Sequence, residues 1–326
     1  MIDVVSMGEL LVEFVATAPN TPLADAPGFI KAPGGAPANV AVGLQRLGLQ
    51  ARFVGKVGDD PFGMYLRDSL AREGVDTRFL LVDRTARTTA VFVAVWDDGR
   101  KDLCFYRNPG ADMLLSPDEI DERLFDSARC FHFGSIGFID EPCASAQRRA
   151  LDIAHRRGLM ITFDPNYRPT LWRDASIARS VIQDSFRYCH LAKISEEEWE
   201  IATGTRDLDA GIAAVLAQGV ELLMITRGSR GAIATNGDYC IELDPPAVPV
   251  VETTGAGDGF MAAMITYLLP ERERLGSLAR VDRNVVHEAL TFANAVGALT
   301  CTRPGAIPAL PTRTEVEQFM ARQGNR

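Results

Sequence analysis

The second half of the chain alternates short apolar runs with longer amphipathic runs, and this alternation is the strongest constraint on its fold. From residue 130 the pattern predicts strand and helix in turn, as far as a strand at 221–226. Strands that alternate with helices pair in parallel and are covered by helices on both faces. The sequence therefore predicts an α/β fold with a central, mostly parallel sheet.

Individual elements follow from the same periodicities. The predicted strands are 2–7, 10–15, 52–57, 130–133, 159–163, 189–194 and 221–226. The predicted helices are 36–47, a segment near 61–73, 141–157, 175–185, 196–202 and 207–217. Residues 16–35 are rich in Ala, Pro and Gly, so we expect them to leave the sheet. Ligands of such sheets bind beyond the carboxyl ends of the strands.

Residues 89–106 depart from the strand–helix alternation. Val91, Val93 and Val95 occupy every second position of one arm, residues 101–106 form a second arm, and Asp98-Gly99 supplies a two-residue turn. The pattern predicts an antiparallel hairpin. It is either a lid over a ligand or an edge hairpin of the main sheet.

Charge and cysteine usage exclude several classes of protein. With 34 Lys and Arg against 43 Asp and Glu, the 326-residue chain carries a net charge of −9, which argues against nucleic acid or an anionic membrane as a partner. Its 6 Cys form no CxxC pair and, with 4 His, suggest no zinc site; such scattered thiols are typical of reduced, buried cysteines in the cytoplasm. Neither a signal peptide nor an 18-residue apolar run is present. We expect one cytoplasmic domain over residues 1–326.

The segment 252–259 reads Glu-Thr-Thr-Gly-Ala-Gly-Asp-Gly and precedes an apolar run. Its glycines permit a tight turn, and a helix that starts near residue 257 would direct free N–H groups at an anion. Asp258 at this point is either a helix cap or a general base. The spacing matches neither a GxxxxGK[ST] phosphate loop nor a GxGxxG dinucleotide loop.

Four further polar segments are candidates for ligand contact, although ordinary turns or caps also explain them. They are 33–40, 164–168, 195–198 and 226–231. In the first, two glycines and Asn39 offer the donors and acceptors that sugar hydroxyls need. In the third, Glu198 is either a carboxylate that holds Mg²⁺ through water or part of an acidic first turn below a Ser cap.

Together these segments resemble the ribokinase-like, phosphofructokinase-B-type carbohydrate kinases over nearly the whole chain. Residues 34–63 resemble that family's first signature, and residues 251–260 resemble its second, highly specific signature. Within the family the chain looks most like the fructokinases. That likeness is carried by residues 105–109, 111–115, 131–136, 141–143 and 164–166.

The resemblance implies a role for each matching residue. Asp258 would deprotonate the sugar hydroxyl, and the N–H groups of Gly255, Ala256 and Gly257 would form the anion hole for the transferring phosphoryl group. The implied sugar contacts are Glu13, Gly34, Gly35, Asn39, Arg107 and Arg168. The implied ATP contacts are Lys193, Thr226, Gly228 and Asn294, and the implied metal-side residues are Glu198 and Glu252. A small β-strand lid would come from segments about 10–33 and 88–110.

The implied reaction is transfer of the γ-phosphoryl group of ATP to the 6-hydroxyl of fructose, with Mg²⁺ and a monovalent cation such as K⁺. Glu252 and Glu13 stand where the family usually has Asp, which affects the metal site and the sugar site respectively. The alternatives are 2-keto-3-deoxygluconate kinase, aminoimidazole riboside kinase and a sugar-binding regulator without catalysis. The implied partners are a sugar and ATP, not nucleic acid or a membrane; a homodimer stays open.

Overall fold

The computed structural model describes residues 2–96 and 100–324, and in this part of the chain thirteen strands form two separate sheets. The strands are β1 (Val4–Met7), β2 (Leu11–Ala16), β3 (Phe29–Gly34), β4 (Ala51–Gly58), β5 (Asp76–Asp83), β6 (Ala90–Val95), β7 (Lys101–Tyr106), β8 (Cys130–Gly134), β9 (Met160–Asp164), β10 (Leu191–Ser195), β11 (Leu222–Thr226), β12 (Ala232–Thr235) and β13 (Cys240–Leu243). Nine strands make up the main sheet, and the other four make up the small sheet.

The main sheet has the strand order β13-β12-β11-β10-β9-β8-β1-β4-β5. All neighbours from β11 to β5 pair in parallel, whereas β12 and β13 add an antiparallel edge. The strand–helix alternation therefore predicted the parallel part correctly. It did not predict the two edge strands, which follow one another without a helix between them.

Helices cover both faces of the main sheet. Those in the described ranges are α1 (Ala36–Arg46), α2 (Pro61–Arg72), α3 (Cys143–Arg156), α4 (Ala175–Ser185), α5 (Trp199–Thr203), α6 (Leu208–Leu216), α7 (Ala256–Leu275), α8 (Arg283–Thr300) and α9 (Arg313–Gly324). Val4 of β1 packs in a core with α1, α7 and α8, while the next residue, Val5, packs in a second core with α3 and α4. Successive strand side chains point to opposite faces, so each strand serves both cores.

The small sheet has the order β3-β2-β6-β7, with a parallel β2–β6 pair between two antiparallel pairs. The predicted hairpin is formed by β6 and β7 and belongs to this sheet, not to the edge of the main sheet. Its predicted Asp98-Gly99 turn lies outside the described residues. The expectation that residues 16–35 leave the sheet holds for the main sheet, but periodicity did not indicate the strand at Phe29–Gly34, which pairs along the whole of β2 in the small sheet.

The sequence-based boundaries of most elements agree with the structure within about two residues, the scatter usual for such assignments. The expectation of buried cysteines holds for Cys130, Cys143 and Cys189, but Cys104 and Cys240 are exposed. Over residues 2–96 and 100–324, no helix is both long and apolar enough to span a bilayer.

The carboxyl edge of the main sheet collects the polar segments singled out in the sequence. Strands β9, β10 and β11 end at Asp164, Ser195 and Thr226. Parallel pairing sets Ser195 directly beside Thr226, so the segments that follow these strands leave the sheet side by side. Helix α7 begins at the same edge, since its first turn lies next to Asn166, which follows β9, and next to Lys193 near the end of β10.

Candidate active site

Helix α7 starts from a glycine turn formed by residues 252–257. Its cap residue is Gly255, whose φ of 82° lies in the left-handed region. A Cβ at Gly255 would also approach the Cα of Ala306 to 3.0 Å, so the turn has no room for a larger residue. The first N–H groups of α7 have no partner within the helix, and an anion can bind there.

Asp258 lies in the first turn of α7 but does not cap it. Its Oδ2 accepts a 2.8 Å hydrogen bond from Nδ2 of Asn39, and its Oδ1 lies 3.5 Å from Nδ2 of Asn166. The side chain is largely withdrawn from solvent, with 7% exposure, and burial raises the pKa of Asp258 although the Asn39 bond opposes that shift. The helix-cap interpretation is therefore wrong. Asp258 is a buried carboxylate, more basic than an ordinary aspartate, aimed away from its own helix.

Close packing of α1 on α7 brings Asn39 to Asp258. A Cβ at Gly43 of α1 would lie only 2.8 Å from the Cβ of Ala262, so the two helices meet where neither has a large side chain. The Oδ1 of Asn39 is buried and has no hydrogen-bond partner within the described residues. A buried amide oxygen without a donor is costly, so this atom is suited to a ligand hydroxyl.

Two cavities meet at the glycine turn. The first cavity, about 480 Å³, lies between the small sheet and the turn and contains Asn39, Arg168 and Asp258 among its lining residues. The second cavity, about 610 Å³, lies over the main-sheet edge next to α8. Both are lined by Glu197, Thr253 and Gly257. A ligand in each cavity would thus touch the same turn, with Asp258 on the first ligand's side.

Most residues predicted to bind the sugar do line the first cavity, namely Glu13, Gly35, Asn39 and Arg168. Gly34 is not among the residues that line this cavity. A Cβ at Gly34 would lie 2.4 Å from Oε1 of Glu13. Its missing side chain makes room for the Glu13 carboxylate. Burial, reinforced by the Glu252 carboxylate, raises the pKa of Glu13 to about 7.

Arg107 is not among the residues that line the first cavity. Its Nε bonds to Oδ2 of Asp112 at 2.7 Å, with side-chain exposures of 6% and 3% for the two residues. The hydroxyl of Thr89 donates to the other Asp112 oxygen. The arrangement is a buried, hydrogen-bonded ion pair, so the nitrogen that faces Asp112 already has a partner within the protein.

The residues predicted to bind ATP lie in or beside the second cavity. Thr226, Gly228 and Asn294 line it. Lys193 lies below, where its Nζ bonds to Oδ2 of Asp164 at 2.8 Å and would be 3.2 Å from a Cβ at Gly257. Burial lowers the pKa of Lys193, but the surrounding carboxylates, Asp164 first and then Glu198, together more than offset this effect. A charged ammonium therefore lies immediately under the glycine turn.

The residues predicted on the metal side are already bonded within the protein. Glu198 accepts 2.7 and 3.0 Å bonds from the hydroxyl and N–H of Ser195, as well as one from the N–H of Tyr167. Glu252 accepts a 2.7 Å bond from the N–H of Gly305. Across the described segments, no group of three or more His, Cys, Asp or Glu side chains is arranged to hold a metal ion.

Sequence reasoning missed two residues of the site. Glu197 is exposed at the junction of the two cavities, whereas its predicted neighbour Glu198 points into the protein. Lys101 lines the first cavity from β7. Strand alternation offered a signal for Lys101, since it pairs with Val95 on the same face of the hairpin as the Val91–Phe105 pair. The Ser195-x-x-Glu198 spacing offered one for the glutamates, since it matches a capping box in which Glu198 bonds back to Ser195 and is not free to face outward.

Comparison with known sequences agrees with this geometry. The pattern of the "pfkB family carbohydrate kinase" family matches residues 1–313. "Probable fructokinase-4" of Arabidopsis thaliana is 43% identical over 318 residues, which cover 97% of this chain and 96% of that protein. Fructokinase-1 of Oryza sativa subsp. japonica is 42% identical over 318 residues, with 97% of each chain covered.

Solved structures with the same fold carry nucleotides, sugar and cations. A fructokinase with bound ATP from Xylella fastidiosa superimposes with a TM-score of 0.88 at 32% identity, covering 99% of both chains. An E. coli protein in complex with ATP and Mg²⁺ gives 0.86 at 30% identity, covering 99% of this chain and 100% of that one. A Vibrio cholerae O395 fructokinase double mutant, solved with fructose, ADP and a potassium ion, gives 0.85 at 28% identity and 98% coverage of both.

Proposed function

The chain belongs to the pfkB family of carbohydrate kinases, and on that premise we propose that it transfers the γ-phosphoryl group of ATP to the 6-hydroxyl of fructose. The observation that carries the proposal is the position of Asp258, a buried carboxylate on the sugar side of the turn at which both cavities meet. Relatives and structural neighbours named as fructokinases support the choice of sugar. Family membership also favours an enzyme over a silent sugar-binding regulator.

In the proposed reaction Asp258 accepts the proton of the attacking hydroxyl. Its raised pKa makes it a stronger base than an exposed aspartate, and Asn39 holds the carboxylate in place. Phosphoryl transfer needs positioning and charge stabilisation more than covalent help from the protein. The N–H groups of Gly255, Ala256 and Gly257 would receive the transferring group, with the Lys193 ammonium beneath them.

The second cavity supports ATP as the phosphoryl donor. Thr226 and Gly228 would contact its phosphates, and Asn294 would lie near the adenine. Mg²⁺ bound with the nucleotide would neutralise phosphate charge. Glu197 faces this junction while the oxygens of Glu198 are bonded internally, so Glu197 would hold the ion's water shell. A single exposed carboxylate suits Mg²⁺, which keeps several waters and takes few protein ligands.

A panel of sugars with ATP tests the function. We expect kcat/KM for fructose to exceed that for 2-keto-3-deoxygluconate by at least about 10²-fold, because a site built to bond one substrate's groups rejects an analogue strongly. The acid sugar needs a cation for its carboxylate. Arg107 forms an ion pair with Asp112, so the cations that could bind this carboxylate in the first cavity are Arg168 and Lys101. The reverse order of kcat/KM would overturn the fructose assignment and leave the kinase mechanism standing.

The alternatives are decided by the same panel. Glu13 stands where the family usually has Asp, and some acid-sugar kinases carry Glu at the matching position. This single residue therefore favours 2-keto-3-deoxygluconate kinase. Aminoimidazole riboside belongs in the panel as the riboside alternative. Absence of turnover with every sugar, despite tight sugar binding, would favour the regulator.

The small sheet is proposed as a lid that closes over the sugar and excludes water. Its inner face, which includes Leu11, Val91 and Val93, lines the first cavity. Deleting residues about Asp98-Gly99 is expected to raise the KM for sugar and to increase ATP hydrolysis without sugar phosphorylation. A second measurement is hydrogen exchange, which should slow over 90–106 when sugar binds. Exchange that is indifferent to sugar would contradict the lid.

A further inference from the structure

Lys101 reaches from the small sheet to the glycine turn. It lies on the inner face of β7, and its ammonium donates a hydrogen bond to the hydroxyl of Thr254. Thr254 immediately precedes Gly255, the cap of α7. One side chain therefore connects a strand of the small sheet to the backbone that presents the anion-binding N–H groups.

The Lys101 ammonium also lies among four other charges of the first cavity. Glu252 and Glu13 attract it, Arg168 repels it, and the Asp258 carboxylate repels that of Glu13. Two carboxylates close together in a partly enclosed cavity repel one another unless a cation intervenes. The ammonium at this point therefore offsets part of the rise that burial and Glu252 cause in the pKa of Glu13.

We propose that Lys101 is a positioning residue for phosphoryl transfer, which fixes the glycine turn through Thr254 and neutralises Glu13 and Glu252 when the small sheet is closed. The inference rests on the proposed function, because it assigns the turn to the transferring phosphoryl group. It adds a coupling: the contact forms only when the small sheet and the turn are adjacent. When the small sheet closes over the sugar, it brings together the Glu13 carboxylate, the N–H groups of the glycine turn and the Lys101 ammonium in one step.

Substitution at Lys101 tests the proposal. Lys101→Met keeps most of the apolar length but removes the charge, whereas Lys101→Arg keeps the charge. Loss of a hydrogen bond made by a charged group should lower kcat/KM about 10–100-fold in the Met variant, with a fall in kcat as well as a rise in sugar KM. Arg should restore most of the loss. The matched control is Asp102→Asn on the exposed face of the same strand, which should leave both constants unchanged.

Recovery by arginine separates positioning from mere packing. Methionine keeps the apolar contacts of Lys101 but cannot donate to the hydroxyl of Thr254, whereas arginine keeps both the charge and the donors. Equal losses in the Met and Arg variants would overturn the proposal.

A second measurement does not depend on catalysis. Hydrogen exchange over residues 252–257 should be faster in Lys101→Met than in the wild type, because the turn loses its tie to β7. Unchanged exchange would overturn the coupling, whatever the substrate. The kinetic comparisons use the sugar that gives the wild type its highest kcat/KM in the panel. An incorrect fructose assignment would therefore change the preferred sugar of the wild type, whereas an incorrect Lys101 proposal would be seen only when the variants are compared with the wild type.

Discussion

Asp258→Asn is expected to lower turnover by about 10²–10⁴-fold, the usual contribution of a positioned general base. The amide is the same size as the carboxylate and can still accept the bond from Asn39, so sugar affinity should change little. It cannot accept the proton of the sugar hydroxyl. Steady-state kinetics with the preferred sugar, together with a direct measurement of sugar binding, would separate the two effects.

The control for Asp258 is Asp238→Asn, the same chemical change at an exposed position in the loop between β12 and β13. It should alter neither turnover nor binding. Near-normal turnover in Asp258→Asn would show that another group takes the proton and would remove the main support for the mechanism. Loss of sugar binding with a stable fold would instead assign Asp258 to substrate affinity.

Arg107→Met is expected to lower the free energy of unfolding by about 3–5 kcal/mol, because it leaves Asp112 buried without its cation. The second change Asp112→Leu should recover much of this loss, since a buried ion pair replaced by apolar residues is often tolerated. Urea unfolding of the single and double variants measures both values. The expected fall is large because solvent reaches neither side chain.

Arg148→Met provides the comparison, because Arg148 and Glu141 form an ion pair with exposures of 56% and 59%. That change should cost less than about 1 kcal/mol. If Arg107→Met left stability unaltered but raised the KM for sugar, Arg107 would be a sugar ligand as its sequence context implied. The buried-pair interpretation would then be wrong.

The fold was predictable where local periodicity and long-range pairing agree. Alternating strands and helices after residue 130 gave the parallel sheet, and the alternation at Val91, Val93 and Val95 gave the hairpin. Phe29–Gly34 was missed because its Ala, Pro and Gly residues have no strand periodicity. Its strand conformation comes from pairing with β2, a tertiary effect that the segment alone does not encode.

The candidate site was predictable at the level of motifs but not of side-chain direction. The glycine spacing identified the turn and Asp258, since only that backbone could approach an anion so closely. The same reasoning could not separate a cavity-facing arginine from Arg107. That distinction depends on which partner the side chain finds after folding, here Asp112.

The small sheet has a hydrophobic cluster with only three buried members among the described residues, Leu11, Val91 and Val93, whereas the main sheet has two extensive cores. So little buried apolar area gives this region a low local free energy of opening. We therefore expect the small sheet to separate from the glycine turn or lose order while the main sheet stays folded. A bound sugar would then stabilise the closed, ordered form of the small sheet. The sugar concentration would set the fraction of molecules in which this region is folded.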